Sequence, residues 1–179
     1  AIGLNNLAAV LRHEGRPADA VPLLEESIAI RRRRVGDGHP ALAPALGQLG
    51  QVFNQLGDLT RAEPLLRESF AIRQRVYGDD HPDTQTARNN LASLMQDLGD
   101  LAGAEALYRE ALTSLQARLG AEHPDVAVQL NNLASLLEDR GRLREAEPLY
   151  RESLAIRRKA FGEANAGVAR VQHNLGRTL

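Results

Sequence analysis

Leucine and alanine recur along this chain at helical spacing, punctuated by glycines at fixed intervals. The stretch "LNNLA" stands at 4–8 and again at 130–134, "RNNLA" at 88–92, and the looser forms "LGQLG" and "QHNLG" at 46–50 and 172–176. In chain order each begins 42 residues after the last with no gap required, so the chain is a tandem array. Complete copies run 41–82, 83–124 and 125–166, an incomplete copy fills 1–40, and a stub covers 167–179.

Each copy predicts two helices. The first runs from the residue after "HP" to just before Gly15, Gly57, Gly99 or Gly141, and the second from there to Gly36, Gly78, Gly120 or Gly162. Glycine just past a periodic run is the usual left-handed helix stop. Pro40, Pro82 and Pro124 suit a first helical turn, where a missing N–H costs nothing. Asp83 and Asp125 complement the positive helix end, and Arg73, Arg75, Arg157, Arg158 and Lys159 the negative end. Glu63/Arg67, Glu105/Arg109 and Glu147/Arg151 add pairs in the favourable order. Pro22, Pro64 and Pro148 fall inside the second helix, where a bend is expected.

Small residues recur where paired helices must approach: Ala8, Gly50, Ala92 and Ala134 on the first helix, Ala20, Ala62, Ala104 and Ala146 on the second. A third column is Ser27, Ser69, Ala111 and Ser153. Leu7, Leu49, Leu91 and Leu133, with Leu24, Leu66, Tyr108 and Tyr150, supply the large partners that interlock with them. One such pair cannot bury its own apolar face, so stability must come from stacking on neighbours.

These columns resemble the tetratricopeptide repeat. The 42-residue unit, with "LNNLA", "EAEPLYRESLAIR" and the "EHPDVA" loop, is similar to the version in kinesin light chains and many bacterial multi-repeat proteins. Departures are local: Gly47 and Gln48 replace the asparagine pair in copy two, "TSLQARL" breaks the pattern in copy three, and "GEANAG" lacks both His and Pro. The resemblance implies an all-α fold, a right-handed α-solenoid of stacked antiparallel helix pairs. Residues 1–179 then form a single repeat domain, a fragment of a longer array. It also implies that the first helices line a concave groove for a peptide segment of a partner.

In that family the exposed first-helix positions follow the small-residue column at set offsets. Here they give Asn5, Asn6, Arg12 and His13 in copy one, and Gln48, Gln51, Asn54 and Gln55 in copy two. Copy three gives Asn89, Asn90, Ser93, Gln96 and Asp97, and copy four Asn131, Asn132, Ser135, Glu138 and Asp139. The stub gives Arg170, His173, Asn174 and Arg177. Asparagine competes with helical backbone, so a pair of them needs a reason. A side-chain amide both donates and accepts, which suits reading a peptide main chain. The alternative is that one member fixes stacking on the adjacent repeat. Adjacent residues point about 100° apart on a helix, so both can hold. The wall runs from basic at Arg12 and His13 to acidic at Glu138 and Asp139, which suggests a partner with basic residues over the fourth repeat and disfavours a carboxylate clamp.

Composition narrows the classes. Aromatics are 3% with no Trp, which favours helices packed through aliphatic side chains over a sheet. Net charge is −1, without the basic footprint of a nucleic-acid binder. There is no cysteine, so disulfides and thiol chemistry are excluded and a reducing, cytoplasmic location fits. No apolar run approaches the roughly 18 residues of a membrane span.

Three further patterns invite chemistry. His39, His81 and His123 come from equivalent loops of successive helix pairs, roughly 10 Å per layer, too far apart to share a zinc ion that needs ligands at about 2 Å. They read as loop or cap residues, and no metal site or cofactor is expected. The run "IRRRRVG" at 30–36 points in several directions on a helix and reads as a solvated helix end. No phosphate loop, zinc-protease signature or nucleophile elbow is present, so no enzyme is expected. Three roles remain: a protein-binding scaffold, a sensor array within a larger signalling protein, or an assembly module. For the last, Val168, Val171, Leu175 and Leu179 fall on one face of the stub, which either caps the fourth repeat or drives self-association.

Overall fold

The computed structural model describes residues 1–178, which contain α-helices and one 3₁₀ turn and no strand. The helices are α1 (Ile2–His13), α2 (Pro17–Val35), α3 (Ala43–Gln55, preceded by the turn Pro40–Leu42), α4 (Leu59–Tyr77), α5 (Pro82–Asp97), α6 (Leu101–Leu119), α7 (Pro124–Asp139), α8 (Leu143–Phe161) and α9 (Ala166–Thr178). The odd-numbered ones are first helices of successive copies. They group into two compact units, Ala1–Leu98 and the residues from Gly99 onward.

The helix starts are set locally. His39, His81 and His123 each accept, through Nδ1, the backbone N–H two residues on, at 3.1, 3.1 and 3.2 Å. That ring nitrogen satisfies a donor the helix cannot, and the following proline has none to satisfy. At α9 the missing histidine is replaced in kind: Asn165 Oδ1 accepts the Gly167 N–H at 2.7 Å. Asp58 and Asp100 cap α4 and α6 in the same manner, at 3.1 and 3.0 Å.

The stops at the ends of the second helices differ from the expected left-handed geometry in one respect. Gly78 and Gly162 have φ of 80° and 77°, but ψ of 174° and 171°. This is the extended, positive-φ region open essentially to glycine alone, so the chain leaves these helices straight rather than curling back. The internal prolines do not shorten their helices. α4 and α8 carry Pro64 and Pro148, α6 has Ala106 in that column, and all three helices are 19 residues long.

In the first unit, α1 packs on α2, α2 on α3, α3 on α4 and α4 on α5. The large-on-small columns are visible where Gly50 meets Leu66: a Cβ at Gly50 would lie 2.7 Å from Leu66 Cγ. Leu24, Leu42, Leu46, Val52, Leu66 and Leu94 fill this core. In the second unit, α6 packs on α7, α7 on α8 and α8 on α9. Leu115, Val126, Ala127, Leu130 and Ile156 form one buried cluster there. Val168 and Val171 of α9 are buried and Leu175 is half-buried. The stub's apolar face is therefore used in packing onto the fourth copy; Leu179 lies outside the described residues.

The serine column does more than leave space. Ser69 donates its hydroxyl to the Ala43 carbonyl at 2.8 Å and Ser153 to the Ala127 carbonyl at 2.6 Å. Both serines are buried, and the bond fastens each second helix to the start of its own first helix.

Candidate functional site

The asparagine pairs split by direction. Asn5 is buried, and its Oδ1 accepts the Ser27 hydroxyl at 2.5 Å. Asn131 is buried, and its Oδ1 accepts from Asn174 Nδ2 in the next copy at 3.2 Å. Asn89, in the same column, is half-buried. Asn131 thus bonds to the adjacent repeat, Asn5 bonds within its own copy, and Asn89 Oδ1 is buried without a partner. Among second members, Asn6 is exposed and Gln48, Asn90, Asn132 and Asn174 are half-buried.

In the first unit, α1, α3 and α5 bring several of the expected wall residues together. Arg12, Gln51, Asn54, Asn90 and Ser93 line one open pocket of about 170 Å³, joined by Gln55 and by Leu66. Arg12 donates through Nη1 to Gln51 Oε1, and Asn54 Nδ2 donates to Asp97 Oδ2 at 3.1 Å. Because Gln51 is neutral, its bond orients the guanidinium without cancelling its charge. The pocket therefore offers one cation, several amides and a hydroxyl over an aliphatic patch. Gln48 lies outside it with a buried, unpartnered Oε1, and Gln96 is half-buried near the end of α5. Leu66 was read from sequence only as a packing residue. It forms the buried floor of the pocket, seated in the space that the missing side chain of Gly50 leaves.

The second unit treats the equivalent positions differently. Glu138 accepts the Tyr150 hydroxyl at 3.0 Å on Oε2 and Arg177 Nη2 at 2.7 Å on Oε1, leaving its side chain 11% exposed. Burial, and after it the Glu138 carboxylate, pushes the Tyr150 phenol well above its ordinary pKa, so it stays a donor. Arg177 answers the Glu138 charge from within the chain, which removes the main support for a basic partner segment over this copy. Asn132 and Ser135 are half-buried and Asp139 is exposed on the same helix.

A second polar cluster surrounds Glu105. Arg109 Nη2 and Arg142 Nη1 reach its carboxylate at 2.8 Å each, and Arg140 pairs with it as well. Burial works to raise its pKa, but Arg109, Arg142 and Arg140 together hold it below the ordinary glutamate value. Of the basic run at the end of α2, Arg31 Nη1 donates to the Ala41 carbonyl at 2.8 Å, Arg32 pairs with Asp37 and Glu68, and Arg33 and Arg34 are exposed. The loop histidines serve as the caps described above. No helix among the described residues is long and apolar enough to cross a membrane.

Comparison with known proteins agrees with this geometry. A family model described as tetratricopeptide repeat matches residues 1–72, 42–117, 83–159 and 125–179. Among solved structures, the chain is similar to a kinesin light chain-like protein of Podosopora anserina with nearly identical TPR-like repeats. The identity is 25% over 98% of this chain and 83% of that one, with a TM-score of 0.84. A substituted form of that protein gives 24% identity, the same coverages and a TM-score of 0.85. BtubC (BKLC) from P. vanneervenii is 25% identical over 98% of this chain and 70% of its own, at a TM-score of 0.83. No curated protein matches the chain.

Proposed function

The chain belongs to the tetratricopeptide repeat family, whose repeats generally mediate protein–protein interaction, and from that premise we propose that it is a non-catalytic scaffold. It holds an extended segment of a partner protein against its first-helix faces. The observation carrying this reading is the open pocket of the first unit, lined by side chains from α1, α3 and α5, with Arg12 oriented by Gln51 and Asn54 by Asp97. The second-column amides Asn6, Gln48 and Asn90 recur once per copy of the first unit and can each donate to and accept from a partner's main chain. Leu66 provides an apolar seat for one side chain of the segment, and Arg12 a charged edge to it.

Peptides selected by display against the whole chain test the reading. Binding of the best peptide, measured by calorimetry, is expected to weaken at least roughly tenfold in a Gln51→Leu/Asn90→Ala double variant, the loss of about one well-formed polar contact. The far-ultraviolet spectrum should not change. Undiminished affinity in that variant would sink the assignment of this face.

A second reading, self-association, has its own observation. Leu7 and Val10 of α1 are half exposed, whereas Leu49 and Val52, Leu91 and Leu94, and Leu133 and Leu136 in the same columns are buried. An apolar face of the kind that meets a neighbouring helix elsewhere is uncovered on α1. Light scattering over a range of concentrations is expected to show association that Leu7→Glu abolishes; a monomer at every concentration rejects it.

A further inference from the structure

One column near the end of each second helix is basic in three copies out of four, and its members differ in what answers their charge. Arg31 donates to the Ala41 carbonyl. Arg73 Nη1 reaches the Asp83 carbonyl at 3.4 Å; burial presses its pKa down, and the Asp83 charge partly offsets that. The third member is Leu115, which sits in the apolar cluster of the second unit and needs no counter-charge. The fourth, Arg157, has neither solution. It is 6% exposed, and its Nε and Nη2 are buried without a hydrogen-bond partner.

The place of the missing partner is visible in the sequence of the next helix start. Where Asp83 and Asp125 stand in earlier copies, the last one has Gly167. The Arg157 guanidinium lies over that first turn of α9, with Nη1 occupying the space in which a side chain at 167 would begin. The charge nearby is not a carboxylate but Arg170, exposed on the same helix, whose field adds to burial in disfavouring protonated Arg157. The amino end of the 13-residue helix α9 contributes further positive potential. A buried, unpaired guanidinium is costly to keep, and the cost is recovered when an anion meets it.

We propose that the first turn of α9, between Arg157, Gly167 and Arg170, binds an oxyanion group, either a carboxylate or a phosphate. Arg157 takes the space a side chain at 167 would fill, and Asn165 already accepts the Gly167 N–H, so the anion is met by the two guanidinium groups, which supply charge-assisted donors beside that first turn. The group arrives as a free ion or on an acidic polypeptide. The site involves none of the residues around Arg12 and stands or falls apart from the peptide-binding pocket.

The test is a titration of the isotope-labelled chain followed by NMR at constant ionic strength, with inorganic phosphate replacing chloride. Saturable shifts are expected at the Gly167 and Val168 amides and at the Arg157 side-chain N–H. Affinity should fall roughly tenfold or more in Arg157→Leu, the loss of one charge-assisted contact, and less in Arg170→Ala. The leucine variant copies Leu115 and should fold; Arg170→Ala, on the surface, gives an independent reading if it does not. A hexaglutamate peptide in the same titration separates the sources: tighter binding than phosphate identifies an acidic polypeptide, and phosphate binding alone identifies a free ion. Shifts that never saturate, or that survive undiminished in both variants, overturn the proposal.

Discussion

Four residues past the small-residue column stands Arg12 in the first unit and Glu138 in the second, and the two units use this position in opposite ways. Around Arg12 the neighbours are neutral amides and the pocket is open. Around Glu138 the chain closes on itself, with Tyr150 beneath and Arg177 alongside. The change is prepared one helix away: twelve residues on, in the second helix of the same copy, stands Leu24 in one unit and Tyr150 in the other. Only tyrosine brings a hydroxyl, and a buried hydroxyl requires an acceptor. A repeated backbone thus offers the same positions, and the second-helix side chain decides whether they face a partner or their own chain.

The sharpest test of this contrast is Tyr150→Ala. Its side chain is fully buried and holds Glu138, so the variant is expected to cost about 3–5 kcal/mol in denaturant unfolding. Tyr150→Phe should lose only about 1 kcal/mol, the net worth of the hydrogen bond. No loss in Tyr150→Phe beside a full loss in Tyr150→Ala would show that packing alone distinguishes the units. Glu138→Ala comes next, at about 1–3 kcal/mol, because it strands the buried phenol. Arg12→Ala should change stability by less than about 0.5 kcal/mol, since the pocket around it is open to water.

Smaller effects refine the picture of the second unit. Gln129 is fully buried with no partner for either amide atom, in a column otherwise held by Gly3, Ala45, Ala87 and Val171. Gln129→Val is expected to raise stability by about 1 kcal/mol, seen as a higher unfolding midpoint, because it removes an unsatisfied group. The Glu105 cluster predicts an acid dependence. A glutamate held below its ordinary value of 4.5 in the folded state adds stability that is complete above that pH and is lost as pH falls through the folded value. Thermal melts of the wild type and Glu105→Gln should therefore diverge above pH 4.5 and converge in stronger acid.

Much of the fold could be read from the sequence because its signals are local. The 42-residue period, the glycines after each helix and the histidine-proline starts all act within a few residues, and each landed where the pattern placed it. What escaped depends on partners far along the chain. Nothing around position 5 or 131 says which asparagine turns inward; Ser27 and Asn174 decide it from 22 and 43 residues away. The pairing of Glu138 escaped for the same reason, since Arg177 approaches it only once α9 has packed. The serine column was in plain view as small residues, and its polarity was the unused clue: a hydroxyl kept at Ser27, Ser69 and Ser153 in an otherwise apolar seam implies an acceptor.

The histidine caps carry a consequence for how the chain acquires its structure. Each spans only two residues, so it can form before any helix has found a neighbour. Every copy that has one owns an independent starting point, and growth can proceed outward from whichever ignites first. Rapid, multi-route assembly is the natural outcome, with the loss of one ring delaying a single route while the others continue.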